Sequence, residues 1–231
     1  MLVSLTVDVE DPDQRGHADP GSVASIVEAM DATGIRATFF VQGRWAAANP
    51  EAAATISSSG HLVGNHSYYH VDTRLLSSPG VRQDVTRGHE QIEASLGVDA
   101  RPWYRLPYGS GAESPRITRQ LRALGYRHVG WDVDVDDYAM TDRGALVPAI
   151  DKAITARERA GATHAIVLLH SWPPATVAAM PELCRFVVER CEGAVTVDQV
   201  PGNGAVRSIS PLVGRARTLG KRTRAAFSHQ T

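Results

Sequence analysis

The chain has 231 residues, 43% of them hydrophobic and 21% charged, with a formal net charge of -1 at pH 7. That composition is ordinary for a soluble globular protein, long enough to bury a substantial core without staples, and its charge balance favours neither a nucleic acid nor a membrane as partner. The opening run MLVSLTVDVED carries no basic stretch and meets Asp8 almost at once, so it reads as a strand rather than a signal peptide, and no apolar stretch is long enough to span a bilayer.

Strand and helix patterns then alternate. LVSLTVDV (Leu2–Val9) is rich in β formers, and Val23, Ile26, Val27 and Met30 recur at helical spacing before Gly34. ATFFV is a short apolar strand. Asn49-Pro50 has the form of an N-cap followed by proline at the first helical position, with Gly60 as the stop. Ser78-Pro79 and Ser114-Pro115 repeat that device, and the helix after Ser78 carries Val81, Val85, Ile92 and Leu96 on one face. HLVGN and PWY are short strands. HVGWDVDV and HAIVLLH are later ones, separated by a helix over about 145–160 with Pro148 in its first turn. Another helix precedes AVTVDQV. Its two cysteines, Cys184 and Cys191, are seven residues apart, about 10 Å of helical rise, too far for a disulfide within that helix. They read as buried free thiols, which suits a reducing compartment.

This alternation predicts a single α/β domain, a (β/α) barrel of about seven parallel strands over residues 1–202. The stretch 203–231, with Arg207, Arg215, Arg217, Lys221, Arg222 and Arg224, reads as a solvated basic tail. Barrels of this kind carry chemistry at the C-terminal ends of their strands. Polar residues gather at five such ends. Asp8, Glu10 and Asp11 close the first strand; His66 and His70 follow HLVGN; Arg105 and Pro107-Tyr108-Gly109 follow PWY. Asp134, Asp136 and Asp137 close HVGWDVDV, and His170 closes HAIVLLH. Any one set has an ordinary reading as turn formers or a satisfied histidine. Five together point to a site.

Two imidazoles four residues apart and one carboxylate make a three-ligand set that leaves a position open, the pattern of a catalytic metal centre. The H-x-x-x-H spacing alone is weak evidence in a chain with nine histidines. Alternate strand residues share a face, so Asp8 and Glu10 point the same way and can divide the work of base and ligand. A metalloprotease helix is excluded, because Ser67 stands where H-E-x-x-H needs glutamate, and there is no G-x-S-x-G elbow.

In order, TVDVED, HSYYH, RLPYG, WDVDVDDY and LLH resemble the five motifs of the polysaccharide deacetylase family, the NodB-homology or carbohydrate esterase family 4 domain, across about 2–202. The resemblance implies a distorted TIM-like barrel and removal of acetyl from an N-acetylglucosamine-type sugar or glycoconjugate. It implies a divalent metal, zinc first with cobalt or nickel as alternatives. Asp8 would be the catalytic base, and His66 and His70 would bind the metal with a carboxylate. Arg105 would pair with Asp8 and keep it ionised. The Tyr108 backbone N–H would help form the oxyanion hole, and Asp137 would hold His170, the general acid. Leu168 would line the acetyl pocket, and Tyr108, Tyr138 and Trp172 would face the sugar, with Trp172 the first choice for stacking.

Three positions depart from the family pattern. Val9 stands where the first motif has its ligand aspartate, so the third ligand is Glu10 on the strand-face argument, or Asp11 if a turn at Pro12 brings it round. Tyr138 replaces the usual Trp, and Ser171 replaces a common Asp. Two other functions fit the same residues: hydrolysis of another C–N bond, in a cyclic amide or ureide, and a catalytically silent carbohydrate-binding domain. Without a leader the expected place of work is the cytoplasm; if a leader is removed, it is outside the cell.

Overall fold

The computed structural model describes residues 1–12 and 18–200. The basic tail and the boundary expected at 202 lie outside the described residues. Strand β1 (Leu2–Val9) pairs with three other strands and is buried along nearly its whole length. Its side chains divide by alternation. Val3, Leu5, Val7 and Val9 enter the main apolar core shared with the helices, while Ser4, Thr6 and Asp8 take the other face.

The remaining strands are β2 (Thr38–Val41), β3 (Leu62–Asn65), β4 (Trp103–Tyr104), β5 (Arg127–His128), β6 (His164–His170) and β7 (Gly193–Ala194). All their pairings are parallel, in the order β5-β4-β3-β2-β1-β6. β2 pairs with residues 6–9 of β1, and β7 takes the early positions Leu2 and Val3. Beyond β5 the chain bridges to β6 at Val133 and Val167, which curls the sheet toward closure. This is the expected distorted barrel, with Phe40, Val129, Ile166, Val197 and Val200 packed together as a separate small cluster.

Helices α1 (Pro20–Asp31), α2 (Gly43–Ala48), α3 (Pro50–Ser58), α4 (Ser78–Leu96), α5 (Pro115–Ala123), α6 (Leu146–Arg159) and α7 (Pro174–Arg190) complete the βα units. Their apolar faces, such as Ile26 and Met30 of α1 and Leu183 and Val187 of α7, complete the main core.

Some local expectations are corrected. The α4 N-cap is Ser77, one residue earlier than read, and its hydroxyl accepts from the Gly80 N–H. Asn49 precedes α3 as expected but makes no side-chain cap; its amide donates to the Trp45 carbonyl and closes α2, a short helix that periodicity had not marked. HVGWDVDV is not a continuous strand. Only Arg127–His128 pair regularly, because the Val129 and Gly130 carbonyls turn to accept from the Arg105 guanidinium. AVTVDQV contributes one strand residue, Ala194, the second of β7, and then a short 3-10 turn, Val197–Gln199. Both cysteines are free, Cys184 buried and Cys191 only half-buried, just past the end of α7.

Candidate metal and catalytic site

The strand ends do converge. Glu10 follows β1, and His66 and His70 follow β3. One ligand atom from each lies within 4.8 Å of the others, and all three residues are buried. One Glu10 oxygen (Oε2) sits 3.1 Å from His66 Nε2 and 2.6 Å from His70 Nε2. His66 Nδ1 lies 2.9 Å from the Arg105 carbonyl oxygen, which can only accept, so Nδ1 carries the proton and Nε2 faces Glu10. Burial by itself would favour neutral Glu10, but the neighbouring His70 and His66 hold it well below the usual carboxylate range. Asp11 is turned elsewhere: its Oδ1 accepts the Ala18 N–H at 3.0 Å, and its own N–H donates to Gln42.

Asp8 lies beside this cluster. Its Oδ1 receives Arg105 Nη1 at 2.7 Å, and its Oδ2 is 3.5 Å from His66 Nε2. The Arg105 side chain is wholly buried, so burial works against its charge, and the Asp8 carboxylate opposes that. The guanidinium also donates to Thr6 Oγ1, Val129 O and Gly130 O and lies 4.1 Å over the Phe40 ring. One carboxylate oxygen of Asp8 is therefore fixed by a buried partner whose three nitrogens are all hydrogen-bonded, and the other is turned to the cluster.

The strand register places the opposite wall. Asp8 of β1 is directly paired with His170 of β6. Asp137 holds His170 twice, taking the ring Nδ1–H at 2.6 Å and the backbone N–H at 2.8 Å. Burial favours the neutral ring. The Asp137 hydrogen bond and charge, with Glu10 and Asp8 nearby, outweigh it and lift the pKa to about 9. The ring is thus cationic at neutral pH, able to give a proton through Nε2.

Around these groups Tyr108 adopts a left-handed backbone (φ 57°), is half exposed, and sets its ring 4.6 Å from that of His70 at a tilt of 57°. Tyr138 is exposed and meets the His170 ring edge-on at 5.8 Å. Trp172 lies 6.0 Å from His170 but is half-buried against the main core. Leu168 is buried on β6, paired with Thr6. Ser171 is buried, and its N–H donates to the Asp8 carbonyl. Asp134 accepts from the Asp136 N–H rather than entering the cluster.

Sequence reasoning missed the supports. Thr6 positions Arg105, Thr176 donates to Asp137 at 2.9 Å, and Asn65 and Asp84 bind the loop carrying the two histidines. Asp84 did leave a signal. It is an acid three residues after Val81 and one before Val85, on the buried stripe of α4.

The polysaccharide deacetylase family model matches residues 2–129, more than half of the chain. The chitooligosaccharide deacetylase of Azorhizobium caulinodans is 27% identical over 161 residues, covering 70% of this chain and 72% of that protein. The peptidoglycan-N-acetylmuramic acid deacetylase PdaA of Bacillus subtilis is 24% identical over 151 residues, 65% of this chain and 55% of that protein. A solved structure described as a CE4 family pseudoenzyme from Bacillus anthracis superposes with a TM-score of 0.73 at 25% identity, covering 85% of this chain and 64% of that one. The chain spans between 32% and 62% of the length of PdaA and two further Bacillus and Geobacillus relatives. The family match, the strand order and the clustered motif residues lead to one conclusion: the chain belongs to the polysaccharide deacetylase family.

Proposed function

We propose that the chain is a divalent-metal-dependent hydrolase that removes the acetyl group from an N-acetylated sugar and releases acetate. One observation carries the reading. A Glu10–His66–His70 donor set, an arginine-anchored Asp8 and an aspartate-anchored His170 meet at one end of the barrel. The related chitooligosaccharide and peptidoglycan deacetylases supply the substrate class.

The donor set fits an ion. A carboxylate oxygen and two imidazole nitrogens turn lone pairs toward one another at 2.6–3.1 Å, an arrangement that needs a cation or protons between them. Zinc suits two nitrogens and one oxygen, with cobalt or nickel as alternatives. Glu10 takes the ligand role left by Val9. The chemistry such an ion supplies is Lewis acidity, which activates water and favours negative charge on the carbonyl oxygen.

The chain's residues do the rest. Asp8, held in place by Arg105, takes the proton from the attacking water. The Tyr108 backbone N–H donates to the developing oxyanion. His170, kept cationic by Asp137, protonates the departing amine. Leu168 closes the acetyl pocket, and Tyr108, Tyr138 and Trp172 face the sugar ring.

The test is acetate release by chelator-stripped protein, with and without added Zn²⁺ or Co²⁺. Substrates run from N-acetylglucosamine and chitooligosaccharides to muropeptides and cyclic ureides. Metal-dependent acetate that disappears in Asp8→Asn, while that variant still takes up metal, is the expected result. Ureide turnover without acetate would move the chain to another C–N hydrolase. Sugar binding with no turnover of any substrate would make it a binding domain.

A further inference from the structure

The loop that carries His66 and His70 is irregular, and its shape comes from elsewhere. Ser67 and His70 both have left-handed backbones, φ 67° and 57°, which side-chain-bearing residues adopt only when their surroundings impose it. Helix α4 imposes it from one side. Asp84, a carboxylate only 7% exposed, accepts the Tyr69 N–H at 3.0 Å and the Tyr68 N–H at 3.3 Å through the same oxygen. It also takes a hydrogen bond from the Ser67 side chain. The Ser67 oxygen in turn accepts the His70 N–H at 2.8 Å. A short relay thus runs from Asp84 through Ser67 to the backbone of His70.

The contact is close by design of the sequence. A Cβ at Gly88, one helical turn on from Asp84, would lie 2.7 Å from Asn65 Oδ1 and 3.0 Å from the Ser67 carbonyl, so only glycine lets α4 approach this far. From the other side, the Gly43 and Arg44 N–H groups at the start of α2 donate to the Ser67 and Tyr68 carbonyls. Arg87, also on α4, lies 3.9 Å over the Tyr68 ring. The four residues between Asn65 and His70 are held at almost every backbone group.

We infer that Asp84 is a positioning residue for the metal site: by gathering the Tyr68, Tyr69 and Ser67 donors it fixes the backbone that aims His66 and His70 at Glu10. Asp84 binds no ion itself; it acts through the loop. A residue that holds an ion's ligands in place typically changes metal affinity by about 10- to 100-fold. The inference rests on the proposed metal-dependent function, and the test separates the two.

The test is Co²⁺ titration of the chelator-stripped protein, followed by visible absorption, with apo-protein thermal unfolding recorded alongside. Asp84→Ala is expected to bind Co²⁺ about 10- to 100-fold more weakly than wild type and to show an altered absorption band. Asp84→Asn keeps one oxygen for the Tyr68 and Tyr69 N–H groups and is expected to recover most of the affinity. Equal affinity in wild type and Asp84→Ala would overturn the inference. Equal loss in Asp84→Asn and Asp84→Ala would overturn it too, assigning the effect to charge instead of position. If Asp84→Ala fails to fold, Ser67→Ala decides: weaker Co²⁺ binding supports the relay, and unchanged binding refutes it. A wild-type chain that takes up no Co²⁺ would remove the metal reading and this inference with it, a result distinct from equal uptake by both.

Discussion

Replacing Asp137 with asparagine interrogates the acid side of the site at one atom. One Asp137 oxygen takes the His170 Nδ1–H; the other takes both the His170 backbone N–H and the Thr176 hydroxyl. Asparagine keeps a single acceptor oxygen, and the position with two donors claims it. Its NH₂ then faces His170 Nδ1, which must offer a lone pair instead of a proton. The ring is driven to the neutral form protonated at Nε2. Burial, which already opposes the charged ring, is no longer outweighed by the carboxylate.

The magnitude follows from the wild-type pKa. His170 is raised from 6.5 to about 9. That interval corresponds to about 3 kcal/mol of preference for the charged ring in the folded protein. Because the folded value is raised, this stabilisation is fully present below pH 6.5, declines above it, and is gone once the pH passes about 9. The wild type should therefore lose about 3 kcal/mol across that window from this group, and Asp137→Asn should show no such loss. Histidine ¹⁵N NMR reads the ring directly: wild-type His170 titrating near 9, and the variant titrating below 6.5 as the Nε2–H tautomer. Urea unfolding at both ends of the window reads the stability. A variant whose His170 still titrates near 9 would refute the reasoning, because some group other than Asp137 would then hold the charge.

Three further substitutions test the other groups. Glu10→Gln should weaken Zn²⁺ or Co²⁺ uptake by at least about tenfold, since an amide is a poorer ligand than a carboxylate, while Asp11→Asn should bind nearly as wild type; the reverse order in a metal titration would transfer the ligand role to Asp11. Arg105→Met should lower unfolding stability by about 3–5 kcal/mol, because it strips the partner from the buried Asp8 carboxylate and leaves the Val129 and Gly130 carbonyls unmet. An unchanged urea midpoint would show that the pair contributes no stability.

The sequence by itself determined the class of fold and the neighbourhood of the site. Alternating apolar patterns are local and carry their own period, so β1, β6 and the long helices could be read without the fold. The strand-end rule then brought Asp8, His66, Arg105, Asp137 and His170 to one edge of the barrel. Alternation also separated Glu10 from Val9, because a strand's side chains must point to opposite faces.

Tertiary structure decided what local pattern cannot carry. HVGWDVDV has the composition of a strand, but two of its carbonyls, Val129 and Gly130, are taken by Arg105, from a different part of the chain, and the ladder breaks there. Glu10 stands with the histidines and Asp11 away from them because of the path after Val9, which two adjacent acids in a sequence do not reveal. Asp84 looks like any acid on a helix until α4 is packed against the histidine loop, where its burial gathers three donors. In each case the deciding partner lies far off along the chain, and its hydrogen-bonding needs override the local preference of the segment it meets.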